Sequence, residues 1–523
     1  MIMTILDERP QTTTPPARPS ALLEVNGISH PGFADILTPG ALEFVARLQR
    51  RFGAERRELL ARRSATVRPI APRFGADTAA IRADQSWRVA PPAPGLEDRR
   101  CEITGPPTRA TTVEALNSGA RVWMADFEDL TSPTWFNMID GQRNLFDAIR
   151  RQIDHTDETG HRHELGAQTA TIMVRPRGWH LPEHHLRLHG EPVSGALVDF
   201  GLYFFHNATR LIENGQGPYF YLAKLESRLE ARLWRDVFAW SEAQLGLEPG
   251  TIRATCLIET FPAAFQMTEI LYELRDYSAG LTAGRWDYLF SVLKNHAHDR
   301  TRLLPDRDQL TMTVPFMRAY TALLTKTCHE RGAQAIDGMA DKTTEVEDGF
   351  DGSWVTSPGL VPACIEVFDR RSGDRPHQIG RRRDDVLVGA AELDATARVP
   401  GDVTLHGLRT NIRVSLAYLR AWIEGRGAVE VDHLMEDTAT VEISRMQIWQ
   451  WIRHGARTTE GVVITRDLVA AMVINETLRA HADGSGADHH AVEAARDILE
   501  HGCLQKHFPS FLIEYAYVRY LTS

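Results

Sequence analysis

Ile252-Arg253-Ala254-Thr255-Cys256-Leu257-Ile258 is a short apolar run ending on an acid, Glu259, and Gly280-Leu281-Thr282-Ala283-Gly284-Arg285-Trp286 runs into a second acid, Asp287. Outward from this pair, short apolar runs recur at residues 122–125, 171–174, 219–222, 288–290, 334–336 and 354–355, separated by helix-length segments. Short runs alternating with helical patterns predict βα units and a parallel sheet. Residues 101–370 span about 270 positions, close to the typical (β/α)8 barrel of about 250. The expected fold class is α/β, a (β/α)8 TIM barrel.

The flanks read differently. Residues 1–20 form a Pro/Thr-rich stretch expected to be a flexible arm. Residues 21–100 are expected to be an N-terminal helical region, because Leu42, Phe44, Val45, Leu48, Leu59 and Leu60 recur at three- and four-residue spacings from Pro39 to about Arg63. Residues 371–404 loosen into an Arg-, Asp- and Gly-containing linker. Residues 405–523 become helical again: Ile412, Leu416, Leu419 and Ile423 paint one helix face, residues 442–453 carry Trp449 and Trp451, and residues 492–499 continue the pattern.

Composition narrows the classes. Among 523 residues, 43% are hydrophobic and 24% charged, which is globular, and 59 basic against 69 acidic residues give a net charge of −10. That balance argues against a nucleic-acid binder. Only Lys224, Lys294, Lys326, Lys342 and Lys506 are lysines; the other basic residues are arginines. Five scattered cysteines without a Cys-x-x-Cys pair point to a reducing compartment. The first twenty residues lack the apolar block of a signal peptide, and no run approaches the roughly 18 to 20 residues of a membrane span. A cytoplasmic chain with no membrane partner is the expectation.

In a barrel, polar residues just after the apolar runs are the candidates for chemistry. Glu259 and Asp287 at neighbouring strand ends suit Mg²⁺, which takes one or two carboxylates and completes its shell with water and substrate oxygens. Either acid could instead cap the helix or turn that follows. Gly280 and Gly284 would let backbone N–H groups approach a substrate carboxylate, and Gly284, Arg285 and Trp286 are the candidate substrate-binding residues. After residue 174, Arg175 or Arg177 could hold an oxyanion without losing its proton. The acidic turn Met435-Glu436-Asp437-Thr438 enters the aromatic helix, where Asp437 or Thr438 could be its N-cap. A zinc reading of His180, His184, His185 and His189 would need a helix, but Pro182 and the missing His-Glu-x-x-His pattern make this a solvated, His-rich segment.

Taken together these stretches resemble the malate synthase family in its shorter, A-type form. The resemblance runs through Leu96-Glu97-Asp98-Arg99-Arg100, Glu102-Ile103-Thr104-Gly105-Pro106, Asp126-Phe127-Glu128-Asp129 with Ser132-Pro133-Thr134-Trp135, residues 175–181, residues 280–290, Met435-Glu436-Asp437 and Glu442-Ile443-Ser444-Arg445. It implies a TIM barrel at residues 101–370 with a Mg²⁺/glyoxylate site, an N-terminal helical clasp at 21–100, and a C-terminal helical domain that closes over the mouth. It also implies an acyltransferase of the glyoxylate cycle, feeding the tricarboxylic acid cycle, that makes malate and coenzyme A from acetyl-CoA, glyoxylate and water. Glu259 and Asp287 then resemble the Mg²⁺ ligands, Asp437 the base that deprotonates the acetyl methyl group, and Arg175 the cation on the enolate oxygen. Lys224 is left as structural or supporting.

This sequence departs from the family pattern in places expected to cluster at the barrel mouth. Tyr277 replaces a usual His, Thr282 an Asn, Asp337 a Gly, and Thr356-Ser357-Pro358 an Ala-His-Pro. After Ala340, on the order of twenty residues are missing, leaving residues 341–352 as a connection near the minimum of about 10 to 12 for a βαβ crossover. Changed pocket walls alter what binds before they alter the reaction type. The alternative is therefore a related condensing enzyme using another acyl thioester, on coenzyme A or a carrier protein, or a larger 2-oxo acid. A different-class alternative is a non-catalytic binding or assembly barrel.

Overall fold

Eight parallel strands close a barrel in chain order: β1 (Cys101–Gly105), β2 (Val122–Asp126), β3 (Thr171–Arg175), β4 (Tyr219–Leu222), β5 (Arg253–Ile258), β6 (Ser278–Ala283), β7 (Ala335–Asp337) and β8 (Gly352–Val355), with β8 pairing back onto β1. The computed structural model describes residues 23–65, 73–338, 346–482 and 488–522. The expected arm at 1–20 and the start of the shortened connection, residues 341–345, lie outside the described residues.

The apolar runs are continuous because a parallel barrel strand is buried on both faces. Met124, Met173, Tyr221, Leu257, Ile336 and Trp354 point inward and fill the barrel. Their neighbours Trp123, Val174, Phe220, Cys256 and Ile258 point outward into the layer of helices. Below the mouth, the interior also holds Arg99, whose guanidinium donates to Glu102 Oε1 (2.6 Å), the Tyr221 hydroxyl (2.6 Å) and the Ala279 carbonyl (2.7 Å).

Two strands differ from the sequence reading. Residues 288–290 are not a strand but lie inside a helix, and the sixth strand is β6, which runs Ser-Ala-Gly-Leu-Thr-Ala and has little apolar signature. Its Gly280 is explained by packing and not by substrate approach. With φ +126°, a Cβ there would stand 2.2 Å from the Gln334 carbonyl oxygen of the chain entering β7. β1 escaped the apolar reading because Glu102 and Thr104 alternate with its apolar residues, and Glu102 faces the internal Arg99.

At the N-terminal side, α1 (Pro39–Ala65) packs against helices Gly195–Glu213 and Arg228–Leu245. After β6, α2 (Arg285–Asn295) begins at Gly284. Residues 371–404 are less loop-like than expected, for they contain the helical turns Ala390–Leu393 and Ala395–Arg398. Beyond them, α3 (Leu405–Ile423), α4 (Thr438–His454), α5 (His489–Cys503) and α6 (Leu512–Tyr520) share a second apolar core of which Ile412, Leu419, Trp422, Trp451 and Ile498 are fully buried members. α4 packs against α2, which places the start of α4 at the barrel mouth. Among the described residues no helix is long and apolar enough to cross a membrane.

Candidate active site

Strand ends β2, β5 and β6 and the start of α4 converge on a cavity of about 320 Å³. Asp129, Glu259 and Asp287 each offer a carboxylate oxygen within 4.8 Å of the others, and all three are buried. Glu259 follows β5 directly. Asp287 lies in the first turn of α2, whose backbone N–H groups favour an anion. Gly284 is required where it stands, since a Cβ would come 2.8 Å from the Glu259 side chain, and its amide donates to the Tyr320 hydroxyl at 3.0 Å.

Two cations are wedged into this acid cluster. Lys224, one residue beyond Ala223 at the end of β4, donates from Nζ to Asp129 (2.8 Å) and Asp287 (3.2 Å) and lies 3.5 Å from Glu128. It sits in the left-handed region, φ +53°, a conformation strained for a side chain of this kind. Its backbone N–H donates to Glu259 Oε1 (2.6 Å) and its carbonyl accepts from Arg63 Nη2 (2.9 Å), which holds it there. Arg175 is pinned by Asp126, through Nε at 2.6 Å and through Nη2, and by Asp129 at 3.0 Å from Nη1. A guanidinium carries five N–H donors, so Arg175 keeps donors free for a further acceptor. Arg177 is instead buried in ion pairs with Asp199 and Glu183, and of the two arginines it is Arg175 that lines the mouth cavity.

Asp437 is the N-cap of α4: Oδ1 accepts the Thr440 amide (3.1 Å), and the Asp437 amide donates to Thr440 Oγ1 (3.0 Å). The capping reading and the catalytic one are therefore compatible, because Oδ2 is left over. Thr438 Oγ1 donates to the Asp129 carbonyl (3.2 Å), fixing the start of α4 to the loop after β2. The hairpin leading to Asp437 is held by Arg307, which donates twice to Glu436 (2.7 and 3.0 Å). Trp286 lies under both Arg285 (4.2 Å) and Arg307 (5.3 Å), while Arg285 donates to the Leu310 carbonyl (2.6 and 3.0 Å).

The charges do not balance. Burial, reinforced by Asp129 and Asp287, pushes the Asp437 carboxyl up to about 8. Burial likewise raises Asp287 to about 6 and Glu259 well above the usual carboxylate range, with Lys224 only partly opposing it. At Asp129 burial also acts upward, but Lys224 and Arg175 outweigh it and hold this carboxyl below its ordinary value. Crowded, buried oxygen donors of this kind fit a small hard dication, which would relieve their mutual repulsion.

The candidates Glu259, Asp287, Arg175, Asp437, Gly284, Arg285 and Trp286 thus line one cavity. Asp129 and the central position of Lys224 were missed, although both follow apolar strands and carry the same signal that singled out Glu259. Of the departures, Tyr277 is not at the mouth: it precedes β6 at the opposite end of the strand and donates to Glu242 at 3.2 Å. Thr282 is buried within β6, and Asp337 ends β7 with its carboxylate accepting the Gly338 amide at 2.7 Å. The histidine segment is neither helical nor fully solvated. His184 and His185 lie in strand Pro182–Leu188, while His180 is stacked on Phe511 at 4.2 Å with its side chain only 6% exposed.

Comparison with known proteins adds three family models: malate synthase N-terminal domain at residues 21–68, malate synthase TIM barrel domain at 171–341 and 339–395, and malate synthase C-terminal at 402–519. A malate synthase of Streptomyces clavuligerus is 50% identical, covering 96% of this chain and 98% of its own. One from Myxococcus xanthus is 47% identical, covering 98% of each. The solved magnesium/glyoxylate complex of Haloferax volcanii malate synthase is 16% identical over 77% of this chain and 98% of that one at TM-score 0.39, too loose a match to transfer any position.

Proposed function

The chain belongs to the malate synthase family, and from that premise we propose that the mouth cavity condenses acetyl-CoA with glyoxylate through Asp437, Arg175, Glu259 and Asp287. The observation that carries the assignment is the convergence of three buried carboxylates beside a fourth, Asp437, that is free at one oxygen.

Glu259 and Asp287, with Asp129 beside them, would hold Mg²⁺. When bound, the ion supplies Lewis-acid polarisation of the glyoxylate aldehyde. Asp437 takes a proton from the acetyl methyl group, and its raised proton affinity suits a weakly acidic C–H bond. Arg175, fixed by Asp126 and Asp129, offers its remaining N–H donors to the enolate oxygen. The enolate carbon then bonds to the aldehyde carbon, and water cleaves the malyl thioester to malate and coenzyme A. Lys224, bridging Asp129 and Asp287, offsets the repulsion among the acids before substrate enters. Gly284, Arg285 and Trp286 wall the glyoxylate side.

In this reading residues 101–370 hold the substrate, residues 21–100 clasp the barrel, 371–404 link, and 405–523 bring the base, so that closure excludes water that would quench the enolate. Five buried cysteines, with no disulfide among the described residues, suit a reducing, cytoplasmic setting. The test is thiol release from acetyl-CoA with glyoxylate and Mg²⁺, with mass detection of malate. Glyoxylate-dependent release that is lost in Asp437→Asn is the expected result. Equal release in both proteins removes Asp437 from its role, and release only with a different thioester identifies another acyl donor.

A further inference from the structure

Beside α1, the end of α2 and the start of α6 lies another cavity, of about 470 Å³, that shares no lining residue with the mouth. It adjoins a pocket of about 320 Å³ through Arg63, Glu226, Pro262 and Asn295. Ligand sites typically occupy about 300 to 1,000 Å³.

Its polar groups are under-used. Lys294 has no hydrogen bond or ion pair among the described residues; its ammonium lies over the Phe511 ring at 4.5 Å and the Phe290 ring at 5.8 Å. Asn295 Nδ2 is buried without a partner, and so is Arg63 Nη1, which has Glu226 only at 3.7 Å. Glu514 likewise makes no hydrogen bond or ion pair. An ammonium and a carboxyl thus share a cavity without touching. Burial lowers the proton affinity of Lys294 and raises that of Glu514, and the charged neighbours around each only partly oppose it. Unpaired buried groups of opposite sign cost stability that a matching ligand would restore.

We propose that this cavity binds a small zwitterion of the α-amino-acid class, its carboxylate on Lys294 and Asn295 and its ammonium on Glu514 and Glu226. Leu60, Pro262 and Phe511 supply the apolar wall for its side chain. A plain anion would leave Glu514 unpaired, and a plain amine would leave Lys294 unpaired. The site is close to the catalytic acids without being part of them. The His180 ring that walls the cavity lies 4.0 Å from Glu128, which is itself 3.5 Å from Lys224.

The test is the thermal midpoint of the full chain in the presence of each proteinogenic α-amino acid at millimolar concentration, without glyoxylate or Mg²⁺. Control arms hold the corresponding hydroxy acid and the amino-acid methyl ester. At least one amino acid should raise the midpoint by on the order of 2 °C, with neither control doing so. Lys294→Met and Glu514→Gln should each lose the shift while retaining wild-type turnover, which also reports that the variant is folded. Absence of any shift in the wild type, an equal shift from the hydroxy acid, or a shift surviving either folded variant overturns the proposal.

Discussion

Two of the barrel's buried charge clusters, one within its interior and one at its mouth, are built on opposite principles. Inside, Arg99 meets Glu102, Tyr221 and the Ala279 carbonyl, and Tyr221 donates to the second Glu102 oxygen at 2.5 Å, so a single positive and a single negative charge close on each other. At the mouth, Asp129, Glu259, Asp287 and Asp437 crowd around Lys224 and Arg175, and three of these carboxyls are pushed upward by burial. A closed pair needs nothing more and serves the fold. An acid excess in a cavity costs stability that a bound cation would offset, and on that ground the mouth is the proposed working end.

Substitutions in the two clusters should have different consequences. The largest effect is expected from Asp437→Asn, which keeps the N-cap but removes the proposed base. Turnover should fall on the order of 10²- to 10⁴-fold, while calorimetry shows glyoxylate and Mg²⁺ binding nearly intact. Next, Asp287→Ala should abolish Mg²⁺-dependent glyoxylate binding; unchanged binding heat would move the metal site elsewhere.

Two stability experiments separate the clusters directly. Glu102→Gln strands the Arg99 charge and should cost about 3 kcal/mol or more in denaturant unfolding, with no recovery on adding Mg²⁺. Lys224→Met should cost a similar amount in metal-free protein, about 3 kcal/mol, yet Mg²⁺ should restore much of it, because an ion can replace the missing positive charge. Equal Mg²⁺ responses in the two variants would erase the distinction between the clusters.

The smallest expected effect is in pH. In metal-free protein the Asp437 carboxyl is held near 8, above its ordinary value of 3.8, so its ionised form opposes folding. That cost is absent below pH about 4 and grows until about pH 8. Asp437→Asn should therefore melt a few degrees above the wild type at pH 8, with the gap closing as the pH falls toward 4. A gap that widens on acidification would give the shift the wrong sign.

Much of this architecture was legible in the chain, for reasons that also explain the gaps. Strands β2 to β5 announce themselves because both faces are apolar, and α3 and α4 because their apolar stripes meet a second core. β1 and β6 are silent: one carries the internal Glu102, the other is thinned by Gly280 to admit the Gln334 carbonyl. Position after a strand was enough to place Glu259 at the cavity, and α2's apolar residues 288–290 mimicked a strand because all three are buried, Tyr288 stacked on Tyr320 and Phe290 facing Phe508 and Phe511. The rule that found Glu259 also covers Asp129, which was passed over because Asp126, Glu128 and Asp129 crowd one turn. Only geometry sorts them: Asp126 pins Arg175, Glu128 accepts the Gly178 amide at 2.5 Å, and Asp129 faces Glu259 and Asp287. Lys224 stayed ambiguous because a lone lysine after a strand says nothing of the acids that fold around it.

On this reading the mouth acids form a site that a dication and glyoxylate complete. Calorimetric titration of glyoxylate into wild-type protein with and without Mg²⁺, beside the same titrations of Asp287→Ala, tests it most directly. The prediction is saturable binding heat in the wild type only when Mg²⁺ is present, and none in the variant. Glyoxylate binding of equal strength without Mg²⁺, or in Asp287→Ala, would contradict the claim.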